Sequence, residues 1–150
     1  MLFAHLKRIL RLDRLRLRGL SGANDEFLLA ATAQNLRRMA KWLMPNDFVA
    51  EVGHRFNFRT KPIGDWDGVV HCEVLAADPP RLLRYSWTGG SDTSKLNSTL
   101  TWTLTPVDGG THLLMVHEGF VFPGNRTAFD AMSSGWGRIM ERIAELTAEA

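Results

Sequence analysis

From Thr99 to Thr105 every second residue is a threonine, and Leu100, Trp102 and Leu104 fill the places between. A period of two puts one apolar row on a single face of an extended chain, which is a half-buried strand. Leu113, Met115 and His117 repeat the pattern after Val107-Asp108-Gly109-Gly110, a connection short enough to require an antiparallel return. The same period runs upstream. His54, Phe56 and Phe58 share a face, Val69 to Leu75 is apolar around His71 and Glu73, and Leu83, Tyr85 and Trp87 alternate with Arg84 and Ser86. Asp78-Pro79-Pro80 and Gly89-Gly90-Ser91-Asp92 read as the turns between them.

After residue 120 the period changes. Phe129, Met132, Trp136, Met140, Ile143 and Thr147 recur at intervals of three and four, which predicts a closing amphipathic helix of about five turns. The order is therefore an antiparallel meander of five or six strands followed by one long helix. A sheet with one apolar face has to be covered, and this helix is the segment long enough to do so. The expected architecture is α+β, a curved sheet wrapped around the C-terminal helix.

The first 41 residues differ from the rest. They hold nine Lys and Arg against three acids, whereas the remainder holds nine against thirteen. The overall charge of +2 thus hides a basic front and a mildly acidic body. A basic front can serve phosphate contacts or be a solvated helical face; functional nucleic-acid binding is the less favoured of the two. Leu2, Phe3, Leu6, Ile9 and Leu10 predict a short helix over 2–12, and Leu15 and Leu17 between arginines predict a strand over 14–18. Asn24 before Asp25 and Glu26 reads as a helix cap, and Leu28, Thr32, Leu36, Met39 and Leu43 carry the stripe to Pro45. No apolar run is long enough to span a membrane, and charges interrupt the leucine-rich start too often for a signal peptide. A lone cysteine, Cys72, leaves no internal disulfide, and a cytoplasmic location is the expectation.

From Trp42 onward the segments WLMPNDF (42–48), GHRFNFR (53–59), DWDGVVHCEVL (65–75), PPRLLRYSW (79–87) and STLTWTLTPVDGGTHLLMVHEGF (98–120), with GW at 135–136, resemble one known family. It is the family named for the activator of the heat-shock chaperone ATPase, within the START-like, birch-pollen-allergen-like helix-grip superfamily. The resemblance implies a curled antiparallel sheet of six to seven strands gripping the C-terminal helix, with a cavity between them. Residues 1–41 lack the strand and helix with which such proteins begin. RLRGLSGANDEFLLAATAQNLRRMA instead resembles the C-terminal tail of insertion-element transposases with an Asp-Asp-Glu site, beyond the catalytic glutamate. The domain division that follows is 1–41 as a transposase-tail-like segment and 42–150 as the START-like domain, folded as one unit. Residues 14–18 then patch the sheet edge and 24–43 replace the lost helix.

Candidate chemistry is sparse. His117 faces the same way as Leu113 and Met115 and could act as acid, base or anchor, or be satisfied by a polar neighbour. Glu118 faces away from it. His54, His71, Cys72 and Glu73 lack the paired spacing of a metal site, and Cys72 reads as a small buried hydrophobe. No catalytic residue, metal or cofactor is assigned. The expected ligand-cavity set is Trp42, Phe56, Phe58, Tyr85, Trp87, Trp102, Met115, His117, Phe120, Trp136 and Met140. These side chains either fill a solid core or frame a pocket, and tryptophan, seldom wholly buried, favours the pocket. The expected function is binding of a small hydrophobic molecule, with a homodimer left open. The alternatives are a polyketide cyclase-like enzyme, a chaperone-interacting module, or an impaired product of an insertion-element fusion.

Overall fold

The computed structural model describes the backbone of residues 22–29 and the chain from 44 to 148. The expected helix at 2–12, the strand at 14–18, Trp42 and the helical stripe beyond residue 29 lie outside these residues.

Among the described residues, six strands form one antiparallel sheet: β1 (Gly22–Leu29), β2 (Arg55–Arg59), β3 (Val69–Asp78), β4 (Leu82–Ser91), β5 (Ser94–Val107) and β6 (Gly110–Glu118). A single helix, α1 (Arg126–Ala148), follows. Strands β2 to β6 are a meander, each paired with the next, and β1 closes the far edge beside β6. The fold is α+β, an antiparallel sheet with a C-terminal helix.

Register aligns the apolar rows across the strands. Leu100 opposes His117 and Tyr85, Trp102 opposes Met115 and Leu83, and Phe56 opposes Cys72. Directly opposed residues share a face, so among the described side chains one side of the sheet is mostly apolar, with His117 and Ser98 as buried polar exceptions. It packs on the stripe of α1 that carries Trp136, Met140, Ile143 and Ala144. Tyr85, Leu100, Leu113, Met115, Met140 and Ile143 have at most 1% of their surface exposed. Burying side chains of this size contributes roughly 1.5–3 kcal/mol each, well above the ~0–1 kcal/mol of exposed ion pairs such as Arg55–Glu73. The core holds the fold. No helix among the described residues is long and apolar enough to cross a membrane.

Two local expectations are corrected. Asn24, Asp25 and Glu26 do not open a helix; Gly22–Leu29 is extended and pairs along Glu118 to Thr111 of β6. Without that partner, the edge of a nine-residue strand would present its N–H and C=O groups unpaired, and tertiary pairing overrides a cap-like sequence. Gly89 and Gly90 do not form the β4–β5 turn either. They lie inside β4, and the turn is Asp92-Thr93, between the paired residues Ser91 and Ser94. Gly90 has φ +99, and a Cβ there would lie 2.2 Å from the Ser94 carbonyl oxygen. Here glycine marks a close approach of backbones.

Candidate functional site: a cavity between the sheet and the helix

The sheet and α1 separate at one end, leaving a cavity of about 770 Å³, within the usual range for small-molecule sites. Its sheet wall is Val70 of β3, Trp87 and Gly89 of β4 and Leu96 of β5. The helix wall is Ala128, Ala131, Met132, Gly135, Trp136 and Ile139. Small residues on this stretch of helix leave the space that larger ones fill further along. At Gly135 an added Cβ would meet nothing within 4 Å.

The rim is the β2–β3 connection, where Thr60, Ile63, Asp65 and Trp66 line the opening. The loop is braced by its own hydrogen bonds. Thr60 N–H donates to the Gly68 carbonyl (2.8 Å), and Ile63 and Trp66 exchange backbone bonds of 3.1 Å around the Gly64-Asp65 tip. The Trp66 indole donates to the Val69 carbonyl (3.1 Å), and Val69 N–H to the Asp67 carboxylate (3.0 Å). Gly68 sits at φ +80, and a Cβ there would fall 2.3 Å from the Thr60 carbonyl oxygen. Ile63 is 66% exposed, so the entrance sets an apolar side chain beside Thr60 and Asp65.

Behind the wall lies a polar chain whose direction is fixed by its members. The Trp136 indole can only donate, and its partner is His117 Nδ1 (3.0 Å). The Ser98 hydroxyl donates to the Trp87 carbonyl (3.0 Å), so towards His117 Nε2 (2.8 Å) it must accept. His117 is therefore the neutral Nε2–H tautomer, with both ring nitrogens satisfied. It is fully buried, and that burial lowers its pKa from 6.5 to about 4. A second buried pair stands nearby, the Trp102 indole donating to the Tyr85 hydroxyl (3.0 Å). Burial pushes the Tyr85 phenol well above its ordinary value, despite that bond.

Of the eleven residues expected at the cavity, Trp87 and Trp136 line it. Phe56, Tyr85, Trp102, Met115 and Met140 belong to the packed core, and Phe58 packs against it, stacked on Trp87 with ring centroids 5.4 Å apart. His117 lies one layer behind Trp136, and Phe120 is buried between His117 and Phe129. The alternating apolar rows thus fill the core, and the pocket opens where a glycine pair, small helix residues and a hairpin loop interrupt them. Among the lining residues missed were Trp66, Gly89, Leu96, Gly135, Arg138 and Ile139. The signal was present in Ala128, Ala131 and Gly135, a run of small residues on the inward side of the helix.

The remaining candidates scatter. His71 Nδ1 is 2.8 Å from the Asn57 side-chain oxygen on the exposed face, and Glu73 pairs with Arg55. Cys72 is buried, and burial pushes its thiol up to about 12. His54 packs against Phe48 and Phe56, with Nε2 buried and unpartnered among the described residues. Among these residues no group of three or more His, Cys, Asp or Glu is placed to hold a metal ion.

Comparison with known proteins places this geometry in context. The family model described as "Activator of Hsp90 ATPase homolog 1-like protein" matches residues 34–148. The crystal structure of protein MLL2253 from Mesorhizobium loti is 36% identical, with a TM-score of 0.71, over 86% of this chain and 98% of that one. The solution structure of the Aha1 dimer from Colwellia psychrerythraea aligns with a TM-score of 0.64 at 15% identity, over 84% of this chain and 95% of that one. The crystal structure of CalU16 from Micromonospora echinospora gives 0.64 at 17% identity, over 89% and 81%. At these lower identities the likeness is one of fold. A search of curated proteins gave no match.

Proposed function

The chain belongs to the Activator of Hsp90 ATPase homolog 1-like family, and on that premise we propose that it binds a small, largely apolar molecule between the sheet and α1. The observation that carries this reading is the cavity of about 770 Å³ whose walls are mostly aliphatic and indole side chains. Moving apolar ligand surface from water into such a site is favourable by roughly 25 cal/mol per Å² before the costs of association.

The same geometry ranks the enzymatic alternative lower. A cyclase needs an acid and a base that meet the substrate. His117 and Tyr85, the pair expected from the sequence, each bond a tryptophan indole and stand off this cavity wall, and the one carboxylate that lines it among the described residues, Asp65, sits on the exposed rim.

We further propose that the segment preceding the family match has a separate origin, in an insertion-element transposase tail. The residues quoted above support this, and the family match begins at residue 34, so 34–41 carries both resemblances. On this reading β1 stands in at the edge where such domains otherwise place their own first strand.

The binding reading is tested with N-phenyl-1-naphthylamine, an uncharged fluorescent probe, followed by native mass spectrometry, which also gives the oligomeric mass. The wild-type protein should retain the probe. Gly135→Leu, which fills open space from the helix wall, should lose it while remaining folded. Equal binding by both proteins, or none by the wild type across a panel that adds fatty acids and polycyclic aromatics, rejects the proposal.

A further inference from the structure

Two charged side chains line the cavity, Asp65 and Arg138, and they differ in what they can reach. Asp65 is a short side chain at the tip of the Ile63–Trp66 hairpin, facing solvent on a turn. Arg138 rises from α1 beside Gly135 and Ile139, both part of the cavity wall. Its aliphatic stem can lie along an apolar wall while the guanidinium stays at the opening. That guanidinium has no carboxylate partner among the described residues, whereas Arg126 and Arg142 on the same helix pair with Asp130 and Glu145. Arg59 and Lys61, which flank Thr60 on the rim, are likewise without ion-pair partners among the described residues. Of the acids on that loop, Asp67 is held by the Val69 amide.

Resting on the binding reading above, we infer that the ligand is an amphipathic anion: an apolar body inside the cavity and one acidic head group at its mouth, held by Arg138. A guanidinium suits this role because it is weakly hydrated and offers a planar fork of donors to a carboxylate, phosphate or sulfonate. A charge at the opening also leaves the head group solvated, so the site avoids the cost of burying it. The shared chemistry is the anionic head; a free aromatic acid and a fatty acid both satisfy it.

A matched pair of probes separates this inference from the one it rests on. N-phenyl-1-naphthylamine and 1-anilinonaphthalene-8-sulfonate share a skeleton, and the second adds a single anionic group. At low salt the sulfonate should bind the wild-type protein roughly tenfold more tightly, as a charge-assisted contact warrants. Arg138→Gln should remove most of that advantage while leaving the uncharged probe within about twofold, and roughly 0.5 M salt should do the same by screening. Asp65→Asn should leave the preference for the sulfonate in place. Octanoate against octanol repeats the comparison for an aliphatic body, and a preference in one pair alone identifies which source of anion the cavity takes. Equal affinities in both pairs, tighter binding of the uncharged members, or an unchanged preference in Arg138→Gln would overturn the inference and leave the cavity reading standing. Failure of every probe to bind overturns both.

Discussion

His117 shows how much at the residue scale depends on partners far away in sequence. Its inward direction was legible from the period of two that it shares with Leu113 and Met115. Its chemistry was not, because Ser98 and Trp136 each lie 19 residues away and only the folded sheet and helix bring them to the ring. The imidazole holds a proton less readily in the folded protein than in the unfolded chain. The stability that His117 contributes is therefore fully present above about pH 6.5 and is lost as the pH drops through about 4, since the unfolded state binds the proton first. The gap corresponds to roughly 3 kcal/mol. Urea unfolding between pH 7.5 and 4 should show that loss, and His117→Gln, which keeps one donor and one acceptor without titrating, should show a shallower one. Identical slopes would remove His117 as the cause. Tyr85→Phe tests the neighbouring pair. It strands the buried Trp102 indole N–H, so stability should fall by roughly 1–3 kcal/mol, read from the same unfolding curves.

At the scale of elements, strands β2 to β6 and α1 were legible because burial on one face imposes a period, and that period survives in the sequence. Strand β1 was not. Its sequence, GANDEFLL, opens with residues that favour turns and caps, and its extended form follows from pairing with β6. An element specified by its partner leaves little local trace. Deleting residues 1–29 should therefore expose the edge of β6 and drive further association or aggregation relative to the full chain; size-exclusion chromatography with light scattering reads the outcome. A stable monomeric truncation would show that β1 is dispensable. The rim loop makes a sharper demand. Gly68→Ala puts a Cβ against the Thr60 carbonyl at a positive φ, and should cost at least 1–3 kcal/mol. Gly64→Ala, also at positive φ but in open space, should cost less.

For the whole molecule, the apolar rows and the closing helix pointed to a sheet gripping a helix, and the family resemblance implied a cavity between them. Where that cavity opens was harder to read. A row of large aromatics marks packing just as well as it marks a pocket, and here most of the row, from Phe56 to Met140, is packed core. Space arises from absences, at Gly89, Ala131 and Gly135, and a missing side chain carries a weaker signal than a large one.

The indole N–H resonances test the position of the ligand directly, because the described tryptophans divide between wall and core. Trp66, Trp87 and Trp136 line the cavity, whereas Trp102 is bonded to Tyr85 in the core. Titrating the ¹⁵N-labelled protein with N-phenyl-1-naphthylamine should move the first three signals and leave Trp102 nearly still. A shift at Trp102 as large as theirs, or no shift in any indole while the probe binds, would place the ligand elsewhere and contradict the account.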